Sequence, residues 1–287
     1  MTMAHLQLVR SEPSTGPSPA RRRKIGLDKV AVDFTTRGKT FRAVENVTIE
    51  VPEMQFLALV GPSGCGKSTV LNMVAGLLAP SEGTVTYDGA PVQAANTRVG
   101  YMTQKDTLLP WRSVADNIGI AFELRCRKAS AAERRERVAE MIDLVGLKGF
   151  ERHFPAELSG GMRKRASLAR MLIYEPETLL LDEPFAALDA QLRILMQQEL
   201  LRLVERRQMT VILVTHDLEE AVLMADRVMV FTSGPGRIRT ERDIPFERPR
   251  NAMELRFRPE FSAIHEELWS ELKDEFAASV ERERRAQ

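Results

Sequence analysis

The most informative stretch of the sequence is Gly61-Pro62-Ser63-Gly64-Cys65-Gly66-Lys67-Ser68-Thr69. It fits the pattern G-x-x-x-x-G-K-[ST] of a phosphate-binding loop, which joins a strand to the start of a helix. Its glycines let the backbone approach a polyphosphate closely, and the loop N–H groups and the helix N-terminus favour negative charge there. Lys67 adds a positive charge for the β- and γ-phosphates, and the Ser68 hydroxyl suits Mg²⁺. All nine residues are therefore predicted to bind the phosphates of a nucleotide.

The segments around this loop predict an α/β fold. Apolar runs alternate with helical patterns, and several runs are apolar on both faces, which favours buried, largely parallel strands covered by helices. The predicted strands are Phe56–Val60, Thr84–Tyr87, Arg98–Thr103, Thr178–Asp182, Thr210–Thr215 and Arg227–Phe231. The predicted helices are Lys67–Leu78, Ala132–Val145, Gly160–Ile173, Ala190–Arg207, Leu218–Ala225 and Glu260–Glu275.

Three segments differ from this alternation. Residues 1–24 are rich in Ser, Pro and Arg and poor in apolar residues, which predicts a disordered tail. Residues 106–165 show little strand pattern and predict a helical subdomain, in which Ser130 and Glu133 have capping-box spacing. Residues 236–287 predict an extended connector and a terminal helix. The ATP-binding domain is therefore expected to span residues 25–235.

Composition and charge exclude several classes of protein. The 287 residues hold 41 Lys and Arg against 40 Asp and Glu, so net charge gives no reason to expect a nucleic-acid partner. The apolar stretches fall far short of the roughly 18 residues that a membrane span needs. Two cysteines, Cys65 and Cys126, are too few for a disulfide framework or a structural zinc site, and no secretory signal is present. These features favour a cytoplasmic protein, with Cys65 a small filler rather than a redox centre.

Two carboxylates end the apolar strand Thr178–Asp182. Asp182 is expected to hold the hydration shell of Mg²⁺ beside Ser68. Glu183, one residue later, is expected to reach the water that attacks the γ-phosphate, and to position and polarise it. The alternative, two acidic residues that merely end a strand in solvent, is disfavoured by the phosphate loop in the same chain.

A second glycine motif, Leu158-Ser159-Gly160-Gly161-Met162, precedes another predicted helix. Ser159 and the N–H groups of Gly160 and Gly161 predict a second anion-binding helix terminus. This motif resembles the signature sequence of ATP-binding cassette (ABC) ATPases, and the resemblance covers about residues 25–275. It implies a phosphate-loop core with a mostly parallel sheet, an antiparallel β edge and a helical subdomain. It also implies a head-to-tail dimer, in which each ATP lies between one phosphate loop and the partner's signature.

The resemblance assigns roles to further positions. Gln104 resembles the glutamine that contacts Mg²⁺ and the attacking water, and His216 resembles the switch histidine that contacts the γ-phosphate. The run Ala187-Leu188-Asp189 resembles the D-loop at the dimer seam. Phe34 resembles the aromatic residue that stacks on adenine, and Phe41 is the alternative. The implied catalytic set is thus Glu183, His216, Gln104 and Lys67, and the implied metal ligands are Ser68, Gln104 and Asp182.

The signature departs from the family pattern at Met162 and Lys164, where many members have Gln. Backbone N–H groups and Ser159 are expected to bind the phosphate, so the departure at Met162 leaves catalysis intact. The basic run Arg163–Arg165 is interpreted as a solvated helix face rather than a nucleic-acid patch.

Two classes of function remain open. One is the ATP-hydrolysing subunit of a membrane transporter, and the alternative is a soluble ABC ATPase acting on nucleic acid or the ribosome. In chromosome-type members, long heptad-repeat segments separate the two halves of the ATPase. Zinc-bearing repair-type members have many more cysteines, and translation-type members have two tandem cassettes in one chain. This sequence has none of those features, so the transporter subunit is favoured.

The segment 108–114 and the tail residues 234–238 with Pro249-Arg250 resemble importer cassettes for nitrate, sulfonates and taurine. This resemblance implies integral-membrane permease subunits that dock on the helical subdomain, and a periplasmic or surface solute-binding protein as an indirect partner. It places the chain peripherally on the cytoplasmic face of the membrane. Trp111 is interpreted both as a buried anchor of the insert and as a feature of this subfamily. The solute, expected to be a small anion, is selected by the other chains.

Overall fold

The computed structural model describes residues 22–36, 38–124 and 129–286. Cys126 and residues 1–21 of the predicted tail lie outside these ranges. The strands in them are β1 (Arg23–Thr36), β2 (Lys39–Pro52), β3 (Phe56–Val60), β4 (Glu82–Tyr87), β5 (Ala90–Pro91), β6 (Val99–Met102), β7 (Thr178–Asp182), β8 (Thr210–Thr215), β9 (Arg227–Phe231) and β10 (Ile238–Asp243). The α-helices are α1 (Lys67–Val74), α2 (Val114–Leu124), α3 (Ala131–Leu144), α4 (Gly160–Leu172), α5 (Ala190–Arg207), α6 (Leu218–Met224), α7 (Ala252–Leu255) and α8 (Pro259–Ala286).

Two sheets form the core. The larger sheet has the strand order β10-β9-β3-β8-β7-β6, in which β10 alone is antiparallel to its neighbour. The smaller sheet, β2-β1-β4-β5, is antiparallel throughout. The predicted α/β fold, with a mostly parallel sheet and an antiparallel β edge, is confirmed.

Strands β3, β7 and β8 are buried along their whole length. Because successive side chains of a strand point to opposite faces, each strand contributes residues to both hydrophobic clusters, one on each face of the sheet. In β3, for example, Phe56, Ala58 and Val60 join one cluster, and Leu57 and Leu59 join the other. This double burial explains why these strands are apolar at nearly every position.

The predicted helical subdomain contains α2, α3 and the start of α4. The capping box is confirmed, because Glu133 N donates to Ser130 Oγ at 3.2 Å and Ser130 N donates to Glu133 Oε2 at 2.7 Å. Helix α2 has no counterpart in the sequence prediction. Its buried Asn117 donates through Nδ2 to the carbonyls of Leu109, Arg112 and Ser113, which fixes the loop that precedes the helix.

Both ends of the described chain pack on the core. Strand β1 begins at Arg23, one residue before the predicted end of the tail, because Lys24 is buried and its Nζ lies 3.1 Å from Asp88 Oδ2 and 2.7 Å from Glu177 Oε2. At the start of the predicted C-terminal extension, Gly236 N donates to Ala43 O at 2.9 Å.

Helix α8 begins near the predicted position and continues to Ala286. A buried stripe at helical spacing, made of Phe261, Ile264, Leu268 and Leu272, packs α8 into the same hydrophobic cluster as α6. The division into domains at residues 24 and 235 stays a prediction. Across the described ranges, we find no helix with the length and apolar character of a membrane span.

Candidate active site

The parallel strands bring the predicted site residues to one edge of the sheet. Strand β3 leads into the phosphate loop, β7 ends at Asp182, and His216 and Gln104 follow β8 and β6 closely. Strands β3, β8, β7 and β6 are neighbours with a common direction, so their carboxyl ends share one edge. Open α/β sheets bind ligands at this edge.

The phosphate loop folds tightly around Lys67. The side chain is 7% exposed, and its Nζ donates to Gly61 O at 2.8 Å and to Pro62 O at 2.7 Å. Gly66, which caps α1, has a φ of 94°, and an added Cβ would lie 2.5 Å from Val44 Cγ2. Only glycine fits this position without strain. Burial raises the pKa of the Cys65 thiol, which agrees with the predicted role as a filler.

Asp182 lies at the end of β7, next to the start of α1. Burial raises the pKa of its carboxyl group, and a hydrogen bond with the Ser68 side chain opposes that shift. Two of the three residues predicted to hold Mg²⁺ are thus together in the structure. Lys67 also acts on the carboxylate electrostatically.

The donor atoms of these residues suit Mg²⁺. Ser68 and Asp182 offer hydroxyl and carboxylate oxygens, and Gln104, which contacts the neighbouring Glu183, offers an amide oxygen; all three are hard ligands. Among the residues that the structure describes, no cluster of three or more His, Cys, Asp or Glu side chains could hold a metal ion by itself. Few protein ligands, supplemented by substrate phosphates and waters, are typical of a Mg²⁺ site in a nucleotide-hydrolysing enzyme.

Three residues predicted to be catalytic meet at the Glu183 carboxylate. Gln104 Nε2 donates to Glu183 Oε2 at 3.2 Å, and His216 Nδ1 lies 3.2 Å from Glu183 Oε1. The Glu183 backbone has a φ of 49° and its N–H donates to Val214 O at 2.9 Å, which holds the side chain beyond the strand end. A cavity of about 50 Å³ adjoins Glu183 and His216, which is large enough for water.

The signature lies at the N-terminus of α4, next to the D-loop. Ser159 caps the helix, because its Oγ accepts a hydrogen bond from Met162 N at 3.2 Å. Gly161 packs so closely on the D-loop that an added Cβ would lie 3.1 Å from Ala187 O. Asp189 caps α5 by accepting from Leu192 N at 3.0 Å. Both motifs therefore sit at helix starts, as the sequence predicts.

The interpretation of the run Arg163–Arg165 as a solvated helix face is wrong. Arg163 Nε pairs with Asp106 Oδ2 at 2.9 Å, and Lys164 donates to the carbonyls of Thr103 and Gln104. Arg165 Nη1 donates to two carbonyls just after α3, at 2.8 and 2.7 Å. The run bonds within the molecule because α4 packs between the core and the rest of the helical subdomain.

The identity of the adenine-stacking residue stays a prediction. Phe34 and Phe41 face each other across β1 and β2, with ring centroids 5.6 Å apart. Phe34 packs partly against the core, whereas Phe41 is 55% exposed. Both alternatives remain open.

Sequence reasoning missed a polar link between the D-loop and the switch histidine. Arg193 Nη1 lies 3.3 Å from Asp217 Oδ2, beside His216, and Arg193 Nη2 donates to Leu188 O at 3.2 Å. Asp217 also caps α6 by accepting from Glu220 N at 3.2 Å. The only signal in the sequence is the N-cap spacing of Asp217 and Glu220.

Together, the fold and the site define a phosphate-loop ATPase of the cassette type. The model of the family described as ABC transporter matches residues 44–186. The chain belongs to the ABC transporter family, whose ATP-binding subunits hydrolyse ATP to drive transport.

Three relatives illustrate the similarity. The chain is 42% identical to an uncharacterised ABC transporter ATP-binding protein of Methanocaldococcus jannaschii, over 90% of this chain and 94% of the relative. It is 40% identical to the taurine import ATP-binding protein TauB of Rhizobium johnstonii, over 85% and 94%. It is 39% identical to the nitrate import ATP-binding protein NrtD of Synechococcus elongatus, over 88% and 93%.

A solved structure also resembles the chain. It is the dimeric, post-hydrolysis state of the ATP-binding cassette MJ0796 bound to ADP and Pi. The TM-score is 0.72 at 30% identity, over 78% of this chain and all of that chain.

Proposed function

We propose that this chain is the ATP-hydrolysing, energy-coupling subunit of an importer for a small anionic solute of the nitrate, sulfonate or taurine type. The names of the relatives described above support this solute class. The solute itself would be selected by separate permease subunits and a solute-binding protein.

The arrangement around Glu183 carries the proposal, because it can activate water next to a triphosphate. The phosphate loop and Lys67 would bind the β- and γ-phosphates. Ser68, Asp182 and Gln104 would hold Mg²⁺, which supplies charge neutralisation on the phosphates when bound. Glu183 would orient the attacking water and accept its proton, while Gln104 and His216 hold the carboxylate between them.

The same chain has a second anion-binding helix N-terminus, at the start of α4, in addition to the phosphate loop at the start of α1. Ser159 and the glycines at the start of α4 present N–H groups, as the phosphate loop does at the start of α1. We propose that this end binds the triphosphate held by a second copy, with Asp189 and His216 at the seam. The solved cassette with 30% identity is dimeric, which supports the pairing of two copies.

A groove of about 460 Å³ suits a permease segment. It lies between β6, the residues after Gln104, α2 and α4, and its walls include Leu109, Ile120 and Leu124 beside Lys105 and Arg170. The nearby Trp111 is 71% exposed, so the interpretation as a buried anchor is wrong, and its exposure suits contact with a partner. Docking here would hold the chain peripherally at the cytoplasmic face of the membrane.

The experiment is to capture the full chain from membranes and identify what accompanies it. We expect an integral-membrane permease, and we expect Leu124→Asp, in the groove wall, to lose it. Met253→Asp, a change at another exposed apolar residue, on α7, is the control and should keep it. Ribosomes or nucleic acid in place of a permease would instead support a soluble ABC ATPase.

A further inference from the structure

Lys164 joins the signature helix to the backbone beside the active site. Its Nζ donates to Thr103 O at 3.2 Å and to Gln104 O, across about sixty residues of sequence. The side chain belongs to the first turns of α4, whose N-terminus is the signature. The carbonyls belong to the segment from which the Gln104 amide reaches Glu183.

The burial of Lys164 shows that this contact is specific. The residue is 8% exposed, although a lysine stem is long enough to bring its ammonium to water. A buried ammonium is unfavourable unless hydrogen bonds satisfy it. Burial lowers the pKa of Lys164, and the carboxylates of Asp106, Asp182 and Glu183 oppose that shift.

Two further cations of α4 hold the same segment. Arg163 Nε pairs with Asp106 Oδ2 at 2.9 Å, and Arg170 Nη1 donates to Thr107 O at 2.8 Å. Side chains of helix α4 therefore bind residues 103–107 through hydrogen bonds and an ion pair at successive positions. Of these three side chains, Lys164 is the one that donates to the backbone of Gln104 itself.

We propose that Lys164 is a positioning residue for ATP hydrolysis, because it fixes the Gln104 backbone on helix α4 and thereby sets the Gln104 amide against the Glu183 carboxylate. The orientation of Gln104 in one site then depends on the helix whose signature faces the second copy's nucleotide. This role rests on the proposed hydrolysis at Glu183. Lys164 would touch neither the nucleotide nor the water.

The first test compares Lys164→Met, which keeps the length of the side chain without a donor, with Lys164→Gln, which keeps an N–H donor. Steady-state phosphate release should show kcat at least tenfold lower for Lys164→Met, with KM for ATP within twofold of wild type. Lys164→Gln should recover most of the lost kcat. Thermal melting checks that each variant is folded, and Lys164→Leu replaces the methionine variant if that variant does not fold.

A double-mutant cycle with Gln104→Ala separates positioning from a purely structural role. If Lys164 acts through Gln104, Lys164→Met should lower kcat by less than twofold in the Gln104→Ala background. A merely structural lysine would lower kcat by the same factor in both backgrounds. The control is Arg202→Met on α5. The Arg202 guanidinium pairs with Glu199 in the same helix, and kcat of this variant should equal that of wild type.

Several results would overturn the proposal. They are a folded Lys164→Met variant with kcat within twofold of wild type, equal losses in the methionine and glutamine variants, independent effects in the cycle, or failure of both donor-less variants to fold. If wild type and Arg202→Met hydrolyse ATP, each of these results refutes the role of Lys164 and leaves the proposed function intact. An inactive wild type would contradict the proposed function itself.

Discussion

At the scale of single side chains, the Glu183 carboxylate is the centre of the site: Gln104 Nε2 and His216 Nδ1 each lie 3.2 Å from one of its oxygens. Replacing it with Gln removes the proton acceptor and keeps the shape. We expect Glu183→Gln to lower kcat by about 10²–10⁴-fold, the usual contribution of a general base, and to retain ATP binding. Phosphate release and equilibrium binding of a fluorescent ATP analogue measure the two effects. Glu199→Gln, a change at a partly exposed residue of α5, is the control, and normal turnover of Glu183→Gln would refute the assigned role.

Glu220 gives a residue-scale prediction about pH. Burial raises the pKa of this carboxyl group from 4.5 to about 7, while Gln197 Nε2 donates to it at 3.1 Å. The folded chain therefore binds this proton more tightly than the unfolded chain. Between about pH 4.5 and 7 this group lowers the unfolding free energy as pH rises, by at most about 1.4 kcal/mol per pH unit.

We expect Glu220→Gln to remove that contribution to the pH dependence of stability. Urea unfolding at pH 5, 6, 7 and 8 measures the difference between the variant and wild type. Glu219→Gln, at the partly exposed neighbouring position, should keep the wild-type slope. An unchanged slope in Glu220→Gln would show that Glu220 does not hold a proton in the folded chain.

Residues with a local motif could be predicted from the sequence, and residues with distant partners could not. The phosphate loop, Asp182 and Glu183 follow strands that the pattern identifies, so the edge of the sheet brings them together. The contacts of Lys164 with Thr103 and Gln104 have no local signal, because the partners come from a different element. The charges of residues 163–165 alone predicted a solvated helix face, but the packing of α4 places these side chains against residues of the same chain.

At the scale of elements, the connector after β9 supports the phosphate loop. Gly236 N donates to Ala43 O at 2.9 Å, and an added Cβ at Gly236 would lie 1.9 Å from Cys65 O. Backbone atoms must shift to relieve such an overlap, so we expect Gly236→Ala to raise KM for ATP about tenfold, or roughly 1.4 kcal/mol.

Gly234→Ala is the matched control for this prediction. An added Cβ at Gly234 meets no atom within 4 Å, so KM should stay within twofold of wild type. Steady-state kinetics with increasing ATP measures both variants. Equal KM values in Gly236→Ala and wild type would show that the connector does not support the loop.

Elements buried on both faces were predicted well, and elements that depend on a pairing partner were not. Strands β3, β7, β8 and β9 and helix α5 have the predicted bounds. Strands β1, β2 and β10 were missed, because each is partly exposed and its antiparallel pairing partner decides its structure. The cap pattern of helix α2 was overlooked: Ser113 Oγ accepts a hydrogen bond from Asp116 N at 3.1 Å, and buried Asn117 also fixes the start of the helix.

At the scale of the whole molecule, Ser159 tests the use of the signature by a second copy. Ser159→Arg places a bulky cation at the helix end that would face the partner's phosphates. We expect each chain to bind ATP as wild type does, while hydrolysis and dimer formation are lost. Ser262→Arg, an exposed change on α8, is the control. Loss of ATP binding by the single chain would mean that Ser159 serves its own site.

The measurement that decides the two-chain account is sedimentation of Glu183→Gln with and without Mg-ATP. In the proposed dimer, both sides of the triphosphate are bound only when two copies meet, and the variant should hold that closed state because it hydrolyses ATP so slowly. We expect a single copy without nucleotide and a dimer at saturating Mg-ATP. A single copy under both conditions, with wild-type hydrolysis strictly proportional to protein concentration at every dilution, would contradict the account.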